Sequence, residues 1–215
     1  ILYGEYVMTR VIYCDQGSPE WHQARCGIIS ASNMKSLFTS RGEKTAAGVR
    51  ETYLNQVIAE RLMQKPMDTF QSYDMERGTL LEAQARANFE MYLDVTVQEV
   101  GFHMHDDHDI GCSPDGLFAD TGVEIKCPKA NTHVRYMRSK KLPSEYLQQV
   151  QGTMYVMNLE RYYFMSYHPD LKPIIIEVKR DNELIDKAAD ILIAAANIVK
   201  TETEKLNEQR IHHTN

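Results

Sequence analysis

The sequence predicts a mixed α+β domain in which helices flank a central sheet that is mostly antiparallel or mixed. Apolar residues recur near a 3.6-residue period before residue 93 and again after residue 182, which is typical of helices. Between residues 95 and 179, β-rich segments alternate with turn residues. The 215 residues are 43% hydrophobic and contain no repeat or Pro/Gly-rich linker, so we predict a single domain over residues 1–215.

Helices dominate the predicted N-terminal half. The Ser-Pro-Glu segment at residues 18–20 starts a helix, with Ser as the N-cap and Pro in the first turn. The Ser-Ala-Ser segment at residues 30–32 is expected to cap a second, short helix. Helical periodicity then covers residues 47–64, where Pro66 ends the helix, and residues 74–93.

Strands dominate the chain from residue 95 onwards. Six strands are predicted around a helix at residues 145–157, namely 95–103, 110–113, 117–119, 123–127, 161–167 and 173–179. A turn at residues 120–122 joins the third strand to the fourth, and a His-Pro-Asp turn joins the last two. The last predicted element is an amphipathic helix at residues 182–207. The order of helices and strands along the chain is typical of an α+β domain.

Composition excludes several classes of protein and leaves nucleic-acid binding open. No run approaches about 18 apolar residues and no secretory signal is visible, so we expect no membrane partner. Four cysteines without a CxxC pair indicate reduced thiols. The formal net charge of −6 does not decide DNA binding, because affinity for phosphate depends on where the cations lie. Since the sequence does not begin with Met, we interpret residues 1–7 as a remnant before a start at Met8.

The richest chemistry lies in one predicted hairpin. Asp115 sits in a Pro-Asp-Gly turn, and Glu124 and Lys126 point to the same face of the next strand while Ile125 points to the opposite face. If the strands pair, two carboxylates and a backbone carbonyl form an oxygen site for Mg²⁺ or Mn²⁺. Lys126 beside it can deprotonate or orient a water and stabilise charge on a phosphoryl oxygen, as phosphodiester hydrolysis requires. The alternative is an ordinary turn and a solvated strand face.

Four segments together resemble a known family. Residues 113–117 (Ser-Pro-Asp-Gly-Leu) and 124–128 (Glu-Ile-Lys-Cys-Pro) resemble the active-site segment of lambda-exonuclease-like (YqaJ-type viral recombinase) nucleases of the PD-(D/E)XK superfamily. Residues 20–32, 78–82 and 146–155 resemble the family's Trp-His/Arg block, its Gly/Glu helix and its Gln-x-Gln helix, in the same order and spacing. The resemblance spans about residues 18–180 and implies a restriction-endonuclease-like PD-(D/E)XK core.

The resemblance assigns roles to residues of the predicted hairpin and of two helices. It implies that Asp115 and Glu124 bind the metal with help from the carbonyl of Ile125, and that Lys126 activates the attacking water. The two helices add a possible second metal ligand and a residue that positions the nucleophile, which are Glu82 and Gln149 respectively.

The resemblance also implies how DNA is held. Arg25 would bind the 5′-phosphate of the digested strand, with Ser32 and Ser113 as hydroxyl donors, because a planar guanidinium pairs with two phosphate oxygens at once. A separate cationic run, which we interpret either as a DNA-backbone track or as a solvated loop, contains Arg135, Arg138, Lys140 and Lys141.

The function implied by the resemblance is a Mg²⁺-dependent 5′-to-3′ double-strand DNA exonuclease, with Mn²⁺ able to substitute. It would release mononucleotides, leave a 3′ single strand for a single-strand annealing protein, and work as a ring-shaped homotrimer in the cytoplasm of a bacterial or phage-infected cell. The alternatives are a restriction- or repair-type endonuclease and a non-catalytic DNA-binding module on the same fold. A zinc site at His103, His105 and His108 is a less favoured hypothesis.

Overall fold

The computed structural model describes residues 10–67 and 73–212, so the interpretation of residues 1–7 lies outside the described residues. Within them, short 3₁₀ helices occupy Ala31–Ser36 and Ser144–Tyr146. The α-helices are α1 (Pro19–Arg25), α2 (Ala47–Met63), α3 (Tyr73–Leu93), α4 (Ala130–Ser139), α5 (Leu147–Met157) and α6 (Asn182–His212). None of these helices is both long and apolar enough to cross a membrane.

The described strands form two four-stranded sheets. The first has the order β1 (Arg10–Ile12), β3 (Phe102–Met104), β4 (Ile110–Cys112), β2 (Ile29–Ser30). The second has the order β5 (Gly116–Phe118), β6 (Thr121–Lys126), β7 (Arg161–His168), β8 (Leu171–Lys179). Each sheet contains one parallel pair, β2 with β4 and β6 with β7, among antiparallel pairs. The predicted class, a mixed α+β fold with helices flanking mixed sheet, is confirmed.

Several local predictions need correction. Most of the predicted strand at 95–103 is not a strand, because its backbone groups find partners without a ladder: Val97 donates to Glu90 Oε1 at 2.7 Å, and Gln98 makes a single bridge to Leu117. The segment after residue 30 forms a 3₁₀ helix. The turn between β5 and β6 consists of Ala119 and Asp120, one residue earlier than predicted.

Helix α4 was absent from the predicted elements. The cationic run begins on this helix with Arg135 and Arg138 and continues past its end with Lys140 and Lys141, and all four side chains are exposed. The fully buried residues of α4 are only His133 and Tyr136, a pair spaced three residues apart in a polar stretch. The segment is polar on average but amphipathic at the helical period, so the sequence carried a signal for this helix that our prediction of the elements missed.

Helix α5 packs closely against the 3₁₀ helix Ala31–Ser36 and also contacts Glu124 of strand β6. A Cβ at Gly152 would lie 2.1 Å from Met34 Sδ, so the missing side chain allows α5 to approach the 3₁₀ helix Ala31–Ser36. β6 lies between β5 and β7, and five of its six residues are buried. The charged side chain of Glu124 is therefore held inside the domain, facing Gln149 on α5.

Candidate active site

The β5–β6 hairpin places the predicted carboxylates side by side. The Asp115 amide donates to Val123 O at 3.0 Å, and the Ile125 amide donates to Asp115 Oδ2 at 2.6 Å. The Ile125 side chain is 4% exposed and belongs to a core cluster with Phe89, on the face opposite Glu124. Pairing of the two strands, and the two faces of β6, are as the sequence predicts.

Glu124 is the most buried charged group of the site. Its side chain is 1% exposed, and its Oε1 accepts from Lys126 Nζ and from Gln149 Nε2, each at 2.5 Å. The other oxygen, Oε2, is buried and has no hydrogen-bond partner. Burying a carboxylate oxygen without a hydrogen-bond partner costs free energy. We therefore expect Oε2 to bind a ligand in the cavity that Glu124 lines.

The charges of the hairpin shift one another's protonation. Burial raises the pKa of the Glu124 carboxyl, the negative charge of Asp115 acts in the same direction, and Lys126 opposes both. Burial lowers the pKa of the Lys126 ammonium, but the carboxylates of Glu124 and Asp115 outweigh it and hold that pKa above its ordinary value. Lys126 is therefore cationic at neutral pH and donates hydrogen bonds.

A cavity of about 220 Å³ joins this hairpin to a second group of polar residues from α1 and the segment after it. Arg25 also lines this cavity, where its Nη2 donates to Ser32 Oγ at 3.2 Å and its guanidinium lies 4.0 Å from the centre of the Trp21 ring. Trp21 Nε1 in turn donates to Ser113 Oγ at 2.8 Å, which leaves the Ser113 hydroxyl proton free for another acceptor.

Arg25 has the properties of an anion-binding residue. Burial lowers the pKa of its guanidinium, although an arginine stays charged at neutral pH. Among the described residues, none of the ion pairs involves Arg25. A half-buried cation that contacts a hydroxyl and an indole face but forms no ion pair within the described residues is suited to bind an anion such as phosphate.

The turn that follows Arg25 is fixed by helix α2. The Gly27 amide donates to Glu60 Oε2 at 3.0 Å, and Gly27 O accepts from Arg61 Nε at 2.7 Å. Arg61 also pairs with Asp109 at 2.5 Å. Gly27 has φ +69°, and a Cβ there would lie 2.3 Å from Arg61 Cγ, so the turn requires glycine.

The hairpin is chemically suited to a divalent metal ion. Asp115 and Glu124 present carboxylate oxygens to one cavity, and the unpartnered Oε2 of Glu124 is an oxygen ligand without a competing donor. Two carboxylates are fewer than a complete all-protein site needs, which suits Mg²⁺, since this ion retains several waters and takes substrate phosphate oxygens as further ligands.

Comparison with known proteins identifies the family of this chain. The sequence model of the YqaJ-like viral recombinase domain matches residues 20–160, well over half of the chain. The chain belongs to the YqaJ-like viral recombinase family. No curated protein sequence matches it.

Two crystal structures resemble this YqaJ-like chain over nearly its whole length. They are of LHK-Exo, an alkaline exonuclease from Laribacter hongkongensis, and of LHK-Exo in complex with dAMP. Both are 30% identical and cover 91% of this chain and 99% of theirs, with TM-scores of 0.81 and 0.80. A phage-related exonuclease from Haemophilus somnus 129PT, 14% identical with a TM-score of 0.64, covers 83% of this chain and 96% of its own and shares the fold.

Some residues singled out by the YqaJ-like resemblance lie outside the cavity. Glu82 on α3 pairs with Arg86 Nη2 at 2.9 Å, although burial and the nearby charge of Asp115 raise the pKa of its carboxyl. No cluster of three or more His, Cys, Asp and Glu side chains within residues 10–67 and 73–212 is arranged as metal ligands, so Glu82 does not join Asp115 and Glu124 in one. Its role at a second metal remains a prediction.

The predicted DNA-backbone cations lie on the surface around α4. Arg135 is paired with Glu145 at 2.6 Å and packs over Tyr136, so its charge is partly neutralised. Glu145 also accepts from the Tyr136 hydroxyl at 2.8 Å and precedes Tyr146, whose ring lies 5.7 Å from Lys126 Nζ. The three exposed cations of the run that have no ion pair in the described part of the chain are Arg138, Lys140 and Lys141.

The histidine hypothesis is wrong. His103 is buried in β3, whereas the His105 ring stacks on Tyr155 at 5.4 Å and lies 5.1 Å from the His108 ring. The described residues include no His, Cys, Asp and Glu cluster that would hold a metal here. The neighbouring Asp109 forms an ion pair with Arg61. The three histidines therefore belong to the packing of the β3–β4 turn.

Sequence reasoning missed two polar residues of the cavity wall. Trp21 had no site role in the sequence analysis, yet it contacts both the Arg25 guanidinium and the Ser113 hydroxyl. Gln16, which carried no motif signal, lines the cavity and bonds the backbone beside Asp115. The bonds from Trp21 to Ser113 and from Gln16 to Pro114 have no local pattern, because each spans more than 90 residues of sequence.

Proposed function

We propose that this protein is a Mg²⁺-dependent double-strand DNA exonuclease that digests the 5′-ended strand to nucleoside 5′-monophosphates and leaves a 3′ single strand. The observation that carries the proposal is the shared cavity, which Arg25 lines together with Asp115, Glu124 and Lys126. An anchor for a terminal phosphate beside a hydrolytic centre is what stepwise cleavage from a 5′ end requires.

The size of the cavity supports release of single nucleotides. Its volume of about 220 Å³ is below the ~300–1,000 Å³ of typical small-molecule sites, which favours a site that takes one terminal nucleotide at a time. LHK-Exo, an alkaline exonuclease, has been seen in complex with dAMP, a nucleoside 5′-monophosphate. The same product class is proposed here.

The oxygen atoms of the hairpin would hold the metal. Asp115 and Glu124, with the carbonyl of Ile125, are the proposed ligands of Mg²⁺, and Mn²⁺ is expected to substitute because it prefers the same hard oxygen ligands. When bound, the ion supplies Lewis-acid polarisation of the scissile phosphate and lowers the pKa of water.

Lys126 and Gln149 complete the chemistry. The cationic Lys126 donates a hydrogen bond that orients the attacking water and stabilises negative charge growing on phosphoryl oxygens. Gln149 Nε2 holds Glu124 Oε1 at 2.5 Å, which fixes the carboxylate and leaves the amide oxygen of Gln149 for the water proton.

The wider assembly is proposed from the family resemblance. The α4 cations Arg138, Lys140 and Lys141 would follow the duplex backbone, where each neutralised phosphate adds salt-dependent affinity. We propose a ring of three copies around the duplex, a cytoplasmic location, and transfer of the 3′ strand to a single-strand annealing protein.

Replacing Arg25 by Ala is expected to remove the preference for 5′-phosphorylated ends. Loss of a charge-assisted pair with phosphate costs about 1.5–3 kcal/mol, so the rate on 5′-phosphorylated duplex should fall about 10- to 100-fold, towards the rate on 5′-hydroxyl duplex. Initial rates on the two duplexes, measured side by side, check this.

Arg41→Ala, a change at an exposed arginine outside the cavity, is the matched control and should leave the ratio of the two rates unchanged. If Arg25→Ala lowered both rates equally, Arg25 would be a structural residue and its assignment to the terminal phosphate would be wrong.

The competing function is an endonuclease on the same scaffold. A covalently closed circular duplex separates the two, because an enzyme that needs an end leaves it intact while an endonuclease nicks it. We expect complete digestion of the linearised duplex with Mg²⁺ and no nicking of the circle. Nicking of the circle at a similar rate would establish the endonuclease, and digestion of neither would favour a binding module.

A further inference from the structure

Gln16 connects the N-terminal segment to the catalytic hairpin. It lies between β1 and α1 and lines the same cavity as Asp115 and Glu124. Its Nε2 lies 2.6 Å from Pro114 O and 3.2 Å from Val100 O. Gln16 and Pro114 are 98 positions apart in sequence, so this contact exists only in the folded domain.

The orientation of the Gln16 amide follows from its partners. Both neighbours are carbonyl oxygens, which only accept hydrogen bonds, so the NH₂ end must face them and both of its protons are used. Gln16 therefore acts as a two-donor clamp that could not be replaced by an acceptor or by an apolar side chain of similar length.

The clamped carbonyl belongs to the peptide group that leads into Asp115. On one side of this peptide group Gln16 holds Pro114 O, and on the other side the Asp115 amide donates to Val123 O at 3.0 Å. The carboxylate itself accepts from the Ile125 amide at 2.6 Å. Backbone and side chain of Asp115 are thus fixed by three bonds, of which only the Gln16 bond comes from outside the hairpin.

We propose that Gln16 is a positioning residue for the metal-binding carboxylate of Asp115, an inference that rests on the proposed function. Residues that orient metal ligands typically contribute 10- to 100-fold to metal affinity or activity. Gln16 makes no bond to Arg25, Ser32 or Ser113, so it acts on the metal end of the cavity and not on the terminal phosphate.

Mn²⁺ binding to the DNA-free protein tests this without relying on turnover. Titration calorimetry at pH 8 compares the parent protein with Gln16→Leu, which loses both donors, and Gln16→Glu, which keeps the length but carries an ionised acceptor. Gln23→Leu is the matched control, since Gln23 is exposed on α1 and outside the cavity. Asp115→Asn removes the charge of a proposed metal ligand and so tests whether Mn²⁺ binds at this site.

Both Gln16 variants are expected to bind Mn²⁺ about tenfold more weakly, with Gln23→Leu within twofold of the parent. Weaker binding by Gln16→Glu is decisive, because simple electrostatics would make an added carboxylate tighten a cation site. The ratio of rates on 5′-phosphorylated and 5′-hydroxyl duplex should stay that of the parent, in contrast to Arg25→Ala.

Unchanged affinity in both variants, or tighter binding by Gln16→Glu, would overturn the inference while leaving the proposed function intact. If Gln16→Leu lacks a cooperative melting transition, Gln16→Glu decides, and unfolding of both would show a general structural role and overturn the inference. If the parent binds no Mn²⁺, or Asp115→Asn binds like the parent, the proposed metal site fails and the inference fails with it.

Discussion

Replacing Lys126 by Met is expected to reduce digestion of a 5′-phosphorylated linear duplex by about 10³-fold while duplex binding and Mn²⁺ binding persist. Met keeps most of the side-chain volume and removes the ammonium. Proton-transfer and charge-stabilising groups each contribute about 10²–10⁴-fold to rate, and Lys126 is the cation that contacts the buried carboxylate of Glu124.

Single-turnover digestion by excess enzyme gives the chemical rate of Lys126→Met without interference from product release. Lys200→Met, at an exposed position of α6, should digest at the parental rate. The buried Glu124 loses its ion-pair partner in Lys126→Met, so a melting transition recorded with Mn²⁺ present must accompany the rates. A folded, metal-binding Lys126→Met that digests as fast as the parent would refute the catalytic assignment.

Asp115→Asn is expected to abolish both metal binding and digestion. The Asn oxygen still accepts from the Ile125 amide, so the hairpin keeps its shape while one ligand charge is lost. Because the metal contributes several kcal/mol of transition-state stabilisation, we expect at least about a thousandfold loss of rate. Calorimetric titration with Mn²⁺ and single-turnover digestion measure the two effects separately.

Asp120→Asn makes the same change five residues away, at the exposed turn between β5 and β6. It should leave both Mn²⁺ affinity and rate within about twofold of the parent. The combination of lost binding in Asp115→Asn and retained binding in Lys126→Met distinguishes a metal ligand from a catalytic cation. Retained Mn²⁺ binding in Asp115→Asn would remove this carboxylate from the metal site.

Local patterns predicted the geometry of the β5–β6 hairpin because it is encoded within thirteen residues, whereas a catalytic role for it came only from the family resemblance. The Pro-Asp-Gly turn, the spacing of two between Glu124 and Lys126, and the apolar Ile125 between them together determine which side chains share a face. The resemblance also brought Arg25 and Ser113 to the same site, and the structure places both in the cavity wall.

Contacts between distant segments could not be predicted in this way. Gln16 has no motif, and its partner Pro114 is known only once the first sheet and the hairpin are folded. The buried position of Glu124 depends on α5 covering β6, which a charge pattern alone presents as a solvated strand face.

The most direct test of the central claim is digestion of a linear duplex labelled separately at each 5′ and 3′ end, with Mg²⁺ or with a chelator. With Mg²⁺, the 5′ labels should appear at once as mononucleotides while 3′-labelled strands persist as long single strands, and the chelator should stop all cleavage. Earlier loss of the 3′ labels, release of internal fragments, or digestion without a divalent metal would contradict a site that holds the 5′-phosphate on Arg25 and cleaves at Asp115, Glu124 and Lys126.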